Sequence, residues 1–270
     1  MSGTEAWTWT AAGVDGVANL SLSRPPVNAL DWPAKRGLVT HLETMRHDSS
    51  VRAFVISSDH PTVFCAGSDL RELALDHAEP GSATARTAFE LDMWELFSRT
   101  PLVSVAAIEG HALGSGCEMA IACDFRVAGR DARFGLPEVK IGGAPGTQTL
   151  ARLPYLIGAA AARRMLLLGE SLTAADAHSL GLVDLLVAPG RAHEAASELA
   201  RRVAQQPRSS IMFLKQALAA GDRTALDSVH SVVMGSVETL FTAPEMREGI
   251  AAFLQKRPPR LFSDDGGTGD

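Results

Sequence analysis

The chain has 270 residues, enough for one large domain, or a domain with an appendage, around a sizeable buried core. Hydrophobic residues at 46% and charged residues at 21% are ordinary for a soluble globular protein, and no apolar run is long enough to span a membrane. A net charge of −6 argues against nucleic acid as a main partner, because phosphate recognition needs basic surface; a small anionic ligand needs only a few local Arg and Lys residues.

Met1 to Thr10 is polar with tryptophans and lacks the charged-then-apolar pattern of a signal peptide. Val17 to Ser23 alternates weakly, as a half-buried strand does, and Arg24-Pro25-Pro26 ends it. Asp31 is a good N-cap for a helix beginning near Pro33, with Leu38, Leu42 and Met45 on one face. Val51 to Ser57 is apolar enough to be a strand buried on both faces. The small-residue turn Val63-Phe64-Cys65-Ala66-Gly67-Ser68-Asp69-Leu70 follows, with Asp69 placed to cap a short helix through Leu73. His77 to Thr84 has the composition of a mobile loop, and Thr87 to Ser98 is amphipathic with Phe89, Leu91, Trp94 and Phe97.

Leu102 to Ile108 predicts another buried strand. The second turn, Gly110-His111-Ala112-Leu113-Gly114-Ser115-Gly116-Cys117-Glu118, leads into a small-residue helix over Gly116 to Cys123 and a strand over Phe125 to Ala128. Phe134-Gly135-Leu136-Pro137-Glu138 closes this stretch, ahead of a flexible loop from Ile141 to Gly146 and a helix over Thr147 to Leu153. Strand, turn and helix repeat through residues 1–190, which indicates an α/β class. Residues 191–262 carry helical periodicity without a convincing strand, as helices that form subunit contacts do. Residues 263–270 are Gly, Asp and Ser, the composition of a disordered tail.

Three common chemistries fail on particular residues. Gly114-Ser115-Gly116 would need a third glycine where Met119 stands, so no dinucleotide fingerprint exists. Neither Ser68 nor Ser115 has the flanking glycines of a nucleophile elbow. Cys65, Cys117 and Cys123 form no CxxC pair, and their odd number reads as reduced thiols of a cytoplasmic protein, with no metal site. What survives is two turns whose exposed N–H groups lack helical partners, and two carboxylates. Glu118 sits among Cys117, Met119, Ala120 and Ile121, where a charge must be paired or functional. Glu138, alone, reads no more strongly than a surface residue.

Ala66-Gly67-Ser68-Asp69-Leu70, Gly114-Ser115-Gly116-Cys117-Glu118 and Phe134-Gly135-Leu136-Pro137-Glu138 together resemble the three signature blocks of the enoyl-CoA hydratase/isomerase (crotonase) superfamily. Arg24 to Leu30, Ala174 to Val187 and Phe253 to Arg257 resemble its flanking blocks, so the likeness runs nearly the whole chain in order. The resemblance implies a spiral of repeated β-β-α units and a C-terminal helical section used in trimers or hexamers. It implies an acyl-CoA thioester whose carbonyl oxygen lies between the N–H groups of Ser68 and Ser115. Glu118 would activate water and Glu138 would deliver a proton at Cα. The nucleotide would lie near Ala66, Ser68, Asp69, Leu70 and Arg71, with Lys256 reaching a phosphate; a solvated basic pair, Lys256-Arg257, is the plainer reading. No cofactor is implied beyond the substrate's own CoA.

Both acids together favour a hydratase over an isomerase, a thioester hydrolase or a non-catalytic acyl-CoA-binding protein. Three features depart from the family pattern. Ser115 stands where glycine is common and Ser68 where alanine is frequent, though both roles use only backbone N–H. The loop after Glu138 is a few residues short, a change expected to affect the placement of Glu138 or the shape of the acyl pocket.

Overall fold

In the computed structural model, residues 6–76 and 81–260 are described. Strands β1 (Trp7–Thr10), β2 (Val17–Leu22), β3 (Ala53–Ser58), β5 (Val103–Ile108), β7 (Phe125–Gly129) and β10 (Leu185–Val187) form one sheet in the order β1-β2-β3-β5-β7-β10. Only the β1–β2 pair in it is antiparallel. A second sheet holds β4 (Val63–Cys65), β6 (His111–Leu113), β8 (Arg133–Gly135) and β9 (Ser171–Thr173), in the order β4-β6-β8-β9. Successive strand pairs β3/β4, β5/β6 and β7/β8 thus send one strand to each sheet before the chain turns helical. This is the β-β-α spiral that the sequence resemblance implied.

The central strands β3, β5 and β7 are largely apolar on both faces because both faces are covered. Successive side chains alternate. Phe54, Ile56, Ala106, Ile108 and Ala128 join the main core, while Val55, Val103, Val105, Ala107 and Val127 face outward. On that outer face lies α7 (Ala192–Ala204), with Ala192, Ala196, Ala200 and Ala204 in a four-residue stripe. Small side chains let the helix backbone approach the valines closely.

Helix α1 (Trp32–His47) begins where Asp31 accepts a hydrogen bond from the Ala34 N–H at 2.8 Å. Such a cap is worth about 1 kcal/mol. Leu38, Leu42 and Met45 are buried, each contributing roughly 1.5–3 kcal/mol against full exposure. Lys35 continues the same stripe and is also fully buried. Helix α2 (Leu70–Asp76) is capped by Asp69, which accepts from the Arg71 N–H at 3.0 Å.

Helix α3 (Ser82–Arg99) starts earlier than its periodicity suggested, so Ser82 to Thr84 belong to a helix and not to the expected loop; residues 77–80 lie outside the described ones. A tertiary contact holds this first turn. Glu238 accepts from the Thr84 N–H at 2.8 Å and from its hydroxyl at 2.7 Å. Helix α4 (Ser115–Ala122) is buried along its whole length, and α5 (Thr147–Leu168), which kinks at Gly158, runs much farther than the expected end at Leu153. The short α6 (Ala174–Ser179) links β9 to β10.

Helices α8 (Arg208–Thr242) and α9 (Pro244–Leu254) pack back onto their own chain. Lys215 of α8 donates to the carbonyls of Phe97 and Leu102 and to Asp124, at 2.6–2.8 Å. Leu73, Ala83, Phe241, Met246 and Ile250 form a small core joining α2, α3, α8 and α9. The expected tail, 263–270, lies outside the described residues. Among the described residues, no helix is long and apolar enough to cross a membrane.

Candidate active site

The first turn is held by the block that precedes α1. Arg24 donates to the Ala29 carbonyl and to Asp31 and Asp69, at 2.6–3.3 Å. Buried Asn28 donates to the Ser58 hydroxyl at 2.6 Å and accepts from the Arg24 N–H at 2.7 Å. These contacts present Leu30 to the turn as a single parallel bridge. Its N–H donates to the Gly67 carbonyl at 2.7 Å, and its carbonyl accepts from the Asp69 N–H at 2.9 Å. In such a bridge the intervening residue's N–H points the other way. That residue is Ser68.

The second turn supplies its donor through the N-terminus of α4. The first bond inside that helix runs from the Glu118 N–H to the Gly114 carbonyl, which leaves the Ser115 N–H among the orphan donors of the first turn. Among the described residues, neither the Ser68 nor the Ser115 N–H has an acceptor. The two residues adjoin: their hydroxyl oxygens are 2.9 Å apart. Gly116 permits this contact, since a Cβ there would stand 2.3 Å from the Cys65 carbonyl oxygen.

Both glutamates come to this junction. Glu118 is 2% exposed, and its Oε1 accepts from the Gly146 N–H at 2.5 Å, at the N-terminus of α5. Burial raises its pKa to about 7, and repulsion from Glu90 adds to that. The Gly146 N–H, Lys35 and a hydrogen bond from Ser115 oppose the rise. Glu138 lies in a 3₁₀ turn, Pro137–Ile141, with its Oε1 against Gly114: a Cβ on that glycine would meet it at 3.2 Å. The residue is half-buried, but its Oε2 is buried without a hydrogen-bond partner. Burial, then repulsion from Glu118, raises the Glu138 pKa to about 8. The segment expected to be a flexible loop is packed: a Cβ on Gly142 would strike the Met246 backbone at 2.7 Å, and Gly146 ends on Glu118.

This arrangement offers two backbone N–H groups without acceptors on adjoining turns, with two unequal carboxylates beside them. A profile described as "Enoyl-CoA hydratase/isomerase" matches residues 13–264. The chain belongs to the enoyl-CoA hydratase/isomerase family. It is 36% identical over 241 residues to the 2,3-dehydroadipyl-CoA hydratase of Escherichia coli (strain K12), covering 89% of this chain and 92% of that protein. It is 34% identical over 245 residues to a probable mitochondrial enoyl-CoA hydratase 2 of Arabidopsis thaliana, covering 90% and 81%. The crystal structure of human mitochondrial delta3-delta2-enoyl-CoA isomerase superposes with a TM-score of 0.85 at 25% identity, over 93% of this chain and 97% of that one.

Within this family member, the structure brings together four of the residues singled out from sequence: Ser68, Ser115, Glu118 and Glu138. Ala66, Asp69 and Leu70 are half-buried along the first turn, and Arg71 is exposed. Lys256 is exposed just past α9, with no ion pair among the described residues, whereas its neighbour Arg257 pairs with Glu248 at 2.5 Å.

A cluster of four charged residues escaped the sequence reading. Lys35 donates to the Ser68 hydroxyl at 2.9 Å and to Glu90 at 2.5 Å, and Arg86 lies 3.6 Å from both Glu90 and Glu72. A signal for Lys35 existed in its spacing. It falls three residues before Leu38 and seven before Leu42, on the apolar face of α1, where a lysine needs a buried partner.

Proposed function

We propose that this protein hydrates 2-enoyl-CoA thioesters reversibly. The observation that carries the reading is the unequal pair of acids beside two free backbone donors. Glu118 receives a hydrogen bond from the Gly146 N–H that favours its ionised form, whereas the buried Oε2 of Glu138 receives none and is the better place for a proton. The similarity to hydratases of Arabidopsis thaliana and E. coli supports the same reading.

In the proposed step, the thioester oxygen takes hydrogen bonds from the Ser68 and Ser115 N–H groups. Glu118 accepts a proton from water as the water oxygen bonds to Cβ. The double-bond electrons move toward Cα and the thioester oxygen, and the N–H pair stabilises the enolate. Glu138 then gives its proton to Cα, and one proton passing from Glu118 to Glu138 restores the pair. The chemistry requires no cofactor besides the CoA of the substrate. Ala66 to Arg71 and Lys256 are the proposed contacts of the CoA nucleotide.

The test is steady-state hydration of crotonyl-CoA by Glu118→Gln and Glu138→Gln. Each change should lower the rate roughly 10²–10⁴-fold, the usual worth of a positioned acid or base. Near-wild-type hydration by either variant would overturn the two-acid mechanism. The close superposition on the human isomerase favours double-bond isomerisation as the second reading, in which one glutamate acts alone and only one of the two substitutions is damaging.

A trimer or hexamer is proposed as the assembly. It is supported by exposed apolar side chains on α5 and α8, among them Tyr155, Leu167, Phe213 and Leu218. The three buried free cysteines fit a reducing compartment, and a cytoplasmic location is proposed on that ground.

A further inference from the structure

The proposed reaction makes no use of Lys35, although it is the largest fully buried charged side chain among the described residues and ends beside one of the two donor residues. Its ammonium donates to Glu90 of α3 at 2.5 Å and to the Ser68 hydroxyl at 2.9 Å. A buried ion pair adds little net stability, because taking both charges out of water offsets their attraction. Stability therefore does not account for a lysine on the apolar face of α1. Its second bond, to Ser68, is the one that leads to the site.

The N–H groups of Ser68 and Ser115 each belong to a peptide whose carbonyl is already held. The Gly67 carbonyl accepts from the Leu30 N–H at 2.7 Å, and the Gly114 carbonyl from the Glu118 N–H at 2.9 Å. Because the peptide is planar, holding its carbonyl aims its N–H. These bonds act inside each turn and leave the separation of the two donors unset. The ladder joining β4 to β6 ends at the Cys65–Ala112 pair. The turns touch beyond it, since a Cβ on Gly67 would meet the Leu113 carbonyl oxygen at 3.1 Å, but such a contact resists closing and not opening. Past that ladder, among the described residues, the hydrogen bond between the turns is the one between the Ser68 and Ser115 hydroxyls, at 2.9 Å. Either hydroxyl can donate in it, and the Ser68 oxygen has lone pairs enough to accept from Lys35 as well.

We propose that Lys35 is a positioning residue: anchored by Glu90 on α3, it holds the Ser68 hydroxyl against Ser115 and so fixes the spacing of the two backbone donors that receive the thioester oxygen. An oxyanion is stabilised best when both donors stand at hydrogen-bond distance at once. The two serines then have separate roles for their two polar groups, the N–H for the oxyanion and the hydroxyl for the brace. That gives a reason for serine where the family pattern favours alanine at one position and glycine at the other. This role rests on the two-donor reading of the site.

The experiment is infrared spectroscopy of butyryl-CoA, ¹³C-labelled at the thioester carbonyl and bound to the full chain. The acyl group is saturated, so there is no double bond to hydrate and the ligand stays intact. Wild type should move the carbonyl stretch below its frequency in water, as two donors polarise the bond. Lys35→Met and Ser115→Ala should each reverse part of that shift, and the double variant should reverse less than the sum of the two, since both break one brace. In crotonyl-CoA hydration each should lower kcat roughly 10–100-fold, the scale of a misplaced catalytic group, with KM little changed. A merely loosened fold would weaken butyryl-CoA binding without moving the frequency of the carbonyl that is bound. If Lys35→Met fails to fold, Ser115→Ala, which leaves the Lys35–Glu90 pair in place, decides the matter alone.

A carbonyl stretch in either folded variant equal to the wild type's would overturn the brace. Additive losses in the double variant would do the same, because Lys35 would then act apart from the Ser68–Ser115 bond. A wild-type carbonyl that does not shift on binding would overturn the two-donor reading itself, and the brace with it.

Discussion

Replacing Glu118 with glutamine should stabilise the protein at alkaline pH while removing its activity. Glu118 is 2% exposed, and its pKa is raised from the ordinary 4.5 to about 7. A carboxyl whose folded pKa lies above its unfolded value opposes folding once it ionises. The opposition is absent below pH 4.5, grows as pH rises toward 7, and is complete above that. At about 1.4 kcal/mol per pH unit, the raised pKa corresponds to an order of 3 kcal/mol. Glutamine keeps an oxygen for the Gly146 N–H and never ionises. Wild type and Glu118→Gln should therefore unfold at similar temperatures at pH 4.5, and the variant should melt roughly 6–12 °C higher at pH 8. Thermal unfolding followed by circular dichroism at the two pH values measures this difference. A difference in melting temperature that is the same at both pH values, or a variant less stable at pH 8, would refute the reasoning.

Hydration requires Glu118 ionised and Glu138 protonated, so kcat/KM should be bell-shaped with its optimum between about 7 and about 8. A rate that climbs monotonically from pH 5 to 9 in a crotonyl-CoA assay would contradict that assignment. Gly114→Ala should lower kcat more than it raises KM, because the new Cβ would meet Glu138 Oε1 at 3.2 Å and force a side chain onto a backbone at φ 51°, ψ −127°. Backbone strain of that kind costs about 1–3 kcal/mol, so a urea melt of the same variant should show a loss of that size. Lys215→Met removes a donor that two carbonyls and Asp124 share and leaves the acid unpaired. It should destabilise the protein by about 3–5 kcal/mol in urea unfolding, and an unchanged midpoint would show that α8 is held by its apolar contacts alone.

Much of this molecule could be read from local pattern. The apolar runs around Val55 and Val105 declared buried strands, the run around Val127 declared a strand, and Asp31 with Pro33 declared the start of α1. The three small-residue blocks named the family, and within them Glu118 stood out as a charge among apolar neighbours. Each of these is a short-range property, because periodicity and caps act within one element. Glu138 owed its selection to the resemblance, since nothing local set it apart from a surface acid.

Other features arose only when distant segments met. Strands β4, β6 and β8 have three residues each, too few to show a period of two, so the second sheet was invisible until its strands were paired. The start of α3 depended on Glu238, 154 residues away. The sequence by itself determined which turns and acids are present and in what order. Only the tertiary structure decided that Gly146 donates to Glu118 while Glu138 Oε2 goes unpartnered, and that Lys35 reaches Ser68. Hydrogen-bond partners of a buried charge are chosen by proximity in space, to which spacing along the chain is blind. The difference between two otherwise equal carboxylates is made there.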